Sequence, residues 1–179
     1  MVDPIRIGII GAGSVAQARH IPRLQKVPSV QITHAWSQRL ETSQTAARKF
    51  GIPNVVTNWE AIVESPEIDA VVIATPPILH LPTTLTALNA GKHVLCQARM
   101  ARNLKEARMM LEASNATDLV TTLYPPLAGL KGDWVMRRLL HDEGYVGTIQ
   151  DVRVTDMTQT VPSAPTWRMN PEVVGVNTM

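Results

Sequence analysis

Cysteine is almost missing from this chain: Cys96 is the only one among 179 residues. An internal disulfide framework is therefore excluded, and the fold must rest on its apolar core. Aromatic side chains are scarce, at 4%, and the formal net charge is only +2. Lysine and arginine are scattered along the chain, so the basic patch that a nucleic acid requires is lacking. No apolar run reaches the ~20 residues that span a bilayer. The N-terminus enters a strand pattern at Ile5, which leaves no apolar signal-peptide core ahead of it. The histidines His20, His34, His80, His93 and His141 stand singly, without H-x3-H or C-x2-C spacing, and this argues against a metal site. The expectation is a cytoplasmic protein with a small-molecule partner and no nucleic-acid, membrane or metal ligand.

What the sequence does have is a β-branched run, Ile5 to Ile10, that feeds into Gly11-Ala12-Gly13-Ser14-Val15-Ala16. This is G-x-G-x-x-A. Gly11 permits a tight turn out of the strand, Gly13 has no Cβ to hold a pyrophosphate off the backbone, and Ala16 lets the following helix approach the sheet. The helix N-terminus adds unpaired N–H groups and a positive dipole end. A purely structural turn between strand and helix has the same spacing, but the flanking pattern favours dinucleotide binding. A helix is expected at 14–26 and a second strand at 30–36.

Strand and helix patterns keep alternating, as in a parallel sheet covered on both faces. Glu41 to Phe50 reads as a helix closed by Gly51, and Asn58 caps a short helix in WEAIVES. Asp69 to Ala74 is a continuous apolar run suited to a central strand. Helices at 79–90 and 103–115 flank a strand at His93 to Cys96, with Asn103 and Glu106 at capping-box positions. A further strand is expected at Leu119 to Leu123 and a helix at Ala128 to Asp142. The fold class is α/β, a Rossmann-type doubly wound parallel sheet occupying residues 1–143. Beyond Gly144, Thr148 to Asp156 alternates polar and apolar residues like a strand with one wet face. Residues 144–179 thus read as the start of a second α/β domain, of which only the first strand is represented.

Three blocks, IGIIGAGSVA, AVVIATPPILH and AGKHVLC, occur in an order and spacing that resemble the glucose-fructose oxidoreductase / inositol dehydrogenase / MocA family of nicotinamide-dependent oxidoreductases. GYVGTIQDVRV resembles the first strand of that family's C-terminal domain, which typically carries the substrate site and the oligomer contacts. The resemblance implies an NAD(P)-dependent enzyme acting on a sugar-like or small carbonyl or hydroxyl substrate, and a homo-oligomer formed through the second-domain region. It places Gly11, Gly13, Ser14, Val15 and Ala16 on the pyrophosphate, Thr75 and Pro76 beside the cofactor, and His80 near the nicotinamide. The alternatives are that Thr75-Pro76-Pro77 simply ends a strand and starts a helix, and that His80 is a helix-surface or capping histidine. Tyr124-Pro125-Pro126 and Trp167-Arg168 match segments near the family's substrate cleft.

Cofactor choice rests on the turn after the second strand, where an acidic residue would bind the adenosine ribose and repel a 2′-phosphate. Ala35-Trp36-Ser37-Gln38-Arg39 has no carboxylate. Ser37 and Arg39 suit a phosphate, so NADP is preferred over NAD, with a solvated Arg39 as the other reading. The sharpest departure is Gln97-Ala98-Arg99, where the family normally has Glu-Lys-Pro with a lysine that assists proton transfer. Ala98 cannot do this. Gln97 can still hydrogen-bond the cofactor, and Arg99 and His80 are the remaining, weak catalytic candidates. A non-catalytic dinucleotide-binding module and a subunit with a structural glycine loop are the alternatives to an enzyme.

Overall fold

A computed structural model describes residues 3–124, 132–153, 155 and 166–175. Strands β1 (Ile5–Ile10), β2 (Val30–Trp36), β3 (Asn54–Val55), β4 (Ala70–Ile73), β5 (His93–Gln97) and β6 (Thr121–Tyr124) pair in parallel, in the order β3-β2-β1-β4-β5-β6. This is the doubly wound Rossmann arrangement expected from the alternating pattern.

Period-two alternation divides each strand's side chains between two cores. Ile7, Ile9, Ile32 and Val72 face one side, where Ala16, Ile21 and Ala46 cover them. Ile10, Val71, Ile73, Val94 and Cys96 face the other, against Ile62, Val63, Ala87, Leu88 and Met110. The covering helices are α1 (Ile21–Leu24), α2 (Leu40–Phe50), α3 (Glu60–Glu64), α4 (His80–Asn89) and α5 (Leu104–Asn115). Their ends follow the sequence signals. Gly51 closes α2 in the left-handed region at φ 67°, the Ala61 amide donates to Asn58 Oδ1 at 2.8 Å, and the Glu106 amide donates to Asn103 Oδ1 at 2.9 Å. The Glu106 carboxylate does not close a capping box on Asn103. It accepts instead from the Arg102 amide at 3.0 Å and the Arg102 guanidinium.

Three elements differ from expectation. The helix expected at 14–26 is interrupted: Ala16–His20 is a π turn, closed by the Ile21 amide on the Ala16 carbonyl, and only then does α1 begin. Pro22 explains the slip, since it has no N–H to continue the ordinary ladder and its ring crowds the carbonyl four residues back. The two-residue β3 lies below the length at which periodicity is visible. Among the described residues of the expected strand at 148–156, namely 148–153 and 155, none is in a strand. A strand exists only through its neighbours, and no described residue offers a ladder to this one. Residues 154 and 156, and residues 128–131 of the expected helix, lie outside the described residues.

The chain forms two compact units. Residues 1–125 and 167–179 make up the first, which contains the sheet. Within it a last short helix at Pro171–Val174 buries Val174 at 2% exposure, and the Glu172 carbonyl accepts from Arg102 Nη1 at 3.0 Å. Residues 126–166 make up the second unit, where Asp133–Arg137 forms a helix and Arg138–Asp142 a π turn. None of its described residues between 132 and 155 is buried.

At the amino ends of β1 and β4, Arg6 and Asp69 clamp the strands together. Asp69 Oδ2 accepts from the Arg6 amide at 2.7 Å and from Nε at 3.0 Å, and Oδ1 accepts from Nη2 at 2.7 Å. The Arg6 hydrogen bonds hold the Asp69 carboxyl at about 2, well below the usual carboxylate range. Both side chains are more than a third exposed, at 39% and 38%, so water and salt screen the pair. A depressed folded value places the stabilisation above about pH 4, where the unfolded carboxyl is already ionised, and removes it as pH falls toward 2. Thermal melts of the wild type and Asp69→Asn across pH 2 to 7 are expected to show the variant less stable at pH 7, with the gap closing as pH approaches 2. A gap independent of pH would contradict this.

Candidate dinucleotide site

Strand order reverses between β1 and β4, and in an open parallel sheet the ligand crevice lies at the carboxyl ends of the strands flanking that reversal. The glycine loop occupies this point. Gly11 has φ 102°, and a Cβ built on it would stand 2.6 Å from the Ala74 carbonyl carbon, so only glycine fits between the two strand ends. The Gly11 and Ala12 amides both donate to the Trp36 carbonyl, at 2.8 and 3.0 Å, and Gln17 Nε2 donates to the Ala12 carbonyl at 3.0 Å. A Cβ on Gly13 would meet nothing within 4 Å. The loop is thus rigid on its protein side and open at Gly13, the position read as facing the pyrophosphate. Ser14 is exposed, Val15 half-buried, and Ala16 buried beneath them.

Two hydroxyls near this opening have no partner. Ser37 Oγ, immediately after β2, and Thr75 Oγ1, two residues after β4, are buried without a hydrogen bond. A buried hydroxyl left unmade costs about 1 to 3 kcal/mol. Ribose or phosphate oxygens of a dinucleotide would satisfy both, and the residues present therefore fit such a ligand. Arg39 is exposed at the N-cap of α2 with extended backbone, two residues beyond Ser37. Pro76 is half-buried and leads into a single 3-10 turn at Pro77–Leu79.

His80 lies at 1% exposure between the two segments that frame the far end of the crevice. Its Nε2 is 2.8 Å from the Thr75 carbonyl oxygen, and its Nδ1 is 2.8 Å from that of Arg99 and 3.3 Å from that of Met100. Burial pushes the imidazole below its usual value, and the three carbonyls oppose that shift. With both nitrogens against backbone carbonyls, His80 braces the end of β4 to the turn after β5 and has no nitrogen turned to a ligand.

Gln97 ends β5, and the Ala98 amide donates to the Tyr124 carbonyl at 2.9 Å. Arg99 follows on an exposed turn. Cys96 is buried, and burial pushes its thiol up to about 12, so it stays protonated and inert. Arg168 stacks on the Trp167 ring at 4.4 Å. Among the described residues no group of three His, Cys, Asp or Glu could hold a metal ion, and no helix is long and apolar enough to cross a membrane.

Sequence reasoning passed over His20. It is buried at 6% exposure, with Nε2 3.0 Å from Gln97 Oε1. A lone histidine in a helical pattern carries no spacing signature, and the π turn that places it is invisible to periodicity.

Comparison with known proteins agrees with this geometry. Residues 5–124 match the GFO/IDH/MocA oxidoreductase family, NAD-binding Rossmann fold. The chain is 32% identical to a 1,5-anhydro-D-fructose reductase of Ensifer adhaerens, over 95% of this chain and 51% of that protein. It is 27% identical to a levoglucosan dehydrogenase of Pseudarthrobacter phenanthrenivorans, over 96% of this chain and 46% of the relative. A crystal structure of a lysine-to-alanine variant of a 3-ketoreductase from Actinomadura kijaniata, in complex with TDP-benzene and NADP, superposes with a TM-score of 0.74 at 28% identity. That match covers 83% of this chain and 46% of the other. The chain spans about half the length of the curated relatives it matches. With its parallel sheet, glycine loop and unpartnered hydroxyls at the strand ends, the chain belongs to the GFO/IDH/MocA oxidoreductase family with the NAD-binding Rossmann fold.

Proposed function

We propose that this chain is the cofactor-binding part of an NADP-dependent oxidoreductase that moves hydride between nicotinamide and a sugar-like or small carbonyl or hydroxyl substrate. The observation that carries the cofactor choice is the buried, unpartnered Ser37 Oγ beside the exposed Arg39, in a turn without a carboxylate. An oxygen-rich 2′-phosphate takes a hydrogen bond from the hydroxyl and a charge-assisted one from the guanidinium. The names of the relatives support a sugar-like substrate.

When bound, nicotinamide supplies the hydride chemistry itself. The chain's residues would hold the pyrophosphate at the turn from Gly13 to Ala16, a ribose oxygen at Thr75, the 2′-phosphate at Ser37 and Arg39, and the far end at Gln97. The three residues nearest the lysine position of the family pattern are unsuited to move the substrate proton. Ala98 has no side-chain donor, His80 is held by carbonyls on both sides, and the guanidinium of Arg99 is a donor with no acceptor to take a proton up. This favours, as a second reading, a module that binds the dinucleotide without catalysis. One relative crystallised with NADP as a lysine-to-alanine variant, so within this family the loss of a lysine is compatible with holding cofactor.

Calorimetry with both cofactors is expected to show tighter binding of NADPH than of NADH, and Arg39→Ala to weaken NADPH alone by about 1 to 3 kcal/mol. Equal affinities would reject the preference. The two glycines separate folding from binding. Gly11→Ala forces a Cβ into the Ala74 backbone at positive φ and is expected to lower stability by about 2 to 5 kcal/mol. A Cβ on Gly13 meets no atom within 4 Å, so Gly13→Val is expected to stay within about 1 kcal/mol of wild type while abolishing dinucleotide binding; a folded Gly13→Val chain that still binds would show the loop is no phosphate cradle. An NADP-linked screen of the 179-residue chain over sugars, polyols and small ketones is expected to show no turnover. Robust turnover by a monodisperse monomer would identify a proton carrier other than the missing lysine.

A further inference from the structure

Four side chains meet at the carboxyl ends of β5 and β6, and the dinucleotide reading uses only one of them. Gln97 and Tyr124 are register partners, each the last residue of its strand. Across them lies His20, with Nε2 3.0 Å from Gln97 Oε1 and its ring edge-on to Tyr124 at 5.2 Å and 84°. On the outer side Arg23 Nη1 donates to the Tyr124 hydroxyl at 2.6 Å. Both His20 and Arg23 come from the segment after the glycine loop. The cluster therefore ties that segment to the end of the strand pair at the nicotinamide side.

The backbone departs from α-helical geometry just where it delivers this contact. In the π turn at Ala16–His20 the Ile21 amide reaches the Ala16 carbonyl, one residue further back than in an α-helix. One extra residue rotates the downstream side chains by about 100° around the helix axis, and such single π turns recur at functional sites. Here the turn coincides with a histidine at 6% exposure that meets the one polar side chain at the end of β5. A carboxamide oxygen can only accept, so His20 Nε2 is the donor, and the two amide hydrogens of Gln97 remain for another acceptor.

We infer that His20 is a positioning residue. It holds the Gln97 side-chain oxygen so that the Gln97 amide is presented as a hydrogen-bond donor to an oxygen of the nicotinamide nucleoside. The inference rests on the dinucleotide reading above and names the part of the chain that orients the nicotinamide end. Tyr124 and Arg23 act behind His20, limiting its ring to one orientation. A glutamine so held offers only donors to the ligand, and thus selects for an oxygen acceptor, either a ribose hydroxyl or the nicotinamide carbonyl.

The test is calorimetric titration of the full chain with NADPH, in the wild type, His20→Ala, Gln97→Ala, the double variant and His20→Gln, with thermal melts on each. His20→Ala and Gln97→Ala are each expected to weaken binding about fivefold, the loss of one net hydrogen bond, and the double variant to lose no more than either alone. His20→Gln places an N–H near the position of Nε2 and is expected to recover most of the affinity, which a purely packing role would not predict. Nitrogen-15 NMR of the wild type is expected to show His20 protonated on Nε2. A folded His20→Ala chain with wild-type affinity, multiplicative losses in the double variant, or a proton on Nδ1 alone would each overturn the inference. Should His20→Ala not fold, Gln97→Ala decides, and wild-type affinity there overturns it as well. A wild-type chain that binds neither NADPH nor NADH defeats the dinucleotide reading and the inference together, whereas binding that is indifferent to His20 defeats the inference alone.

Discussion

The backbone of Gly11 lies against the Ala74–Thr75 peptide too closely for any Cβ, and the arrangement of the crevice depends on that approach. It brings the glycine loop onto the point where strand order reverses, between β1 and β4. It also leaves Thr75 at the rim, where its hydroxyl is buried without a partner while its carbonyl lies 2.8 Å from His80 Nε2. His80 in turn meets the Arg99 carbonyl. A single run of close contacts thus connects the phosphate end of the crevice to the turn after β5. A displacement of about one ångström at Gly11 would be transmitted along it, since packed interiors yield little.

The two ends of the crevice differ in kind. Toward the glycine loop and the end of β2, the groups are backbone, hydroxyls and one exposed guanidinium, all suited to holding phosphate and ribose oxygens. Toward the end of β5 the groups are an amide, an alanine, a thiol that burial keeps protonated and an imidazole that burial pushes away from charge. Such a set orients a ligand and excludes water without exchanging protons with it. Reduction of a carbonyl needs a proton at the oxygen as well as a hydride at the carbon, and the chemistry of the relatives thus requires a donor that Cys96, Gln97 and Ala98 do not supply.

Much of the sheet was legible because its rules are local. β-Branched runs, Gly51 after α2, and Asn58 and Asn103 as caps each act within a few residues and appear where the pattern places them. The glycine spacing disclosed the tight turn at Gly11 for the same reason. What sequence reading missed depends on partners distant in the chain. β3 exists only by pairing with His34 and Ala35, the alternation at 148–156 meets no ladder among the described residues, and the partners of His80 lie 5, 19 and 20 residues away. His20 is the extreme case. Its partner lies 77 residues on, and the π turn that aims it arises from a proline two residues later.

Likeness to the relatives bears on which of these constraints tolerates change. At 28% identity the backbone still superposes with a TM-score of 0.74, so most side chains have been exchanged around a common frame. A site built from backbone amides and a glycine contact survives such exchange, because few substitutions reach it. A site built from side-chain chemistry does not, and Gln97-Ala98-Arg99 is where this chain departs from the pattern that its other blocks resemble. The cluster of His20, Gln97 and Tyr124 lies between these cases. It uses side chains, yet they are locked to backbone by the π turn and by the pairing of β5 with β6. A donor held in that way can orient a nicotinamide whether or not its neighbour at position 98 can move a proton, and binding and catalysis are thereby physically separable at adjacent positions of one turn.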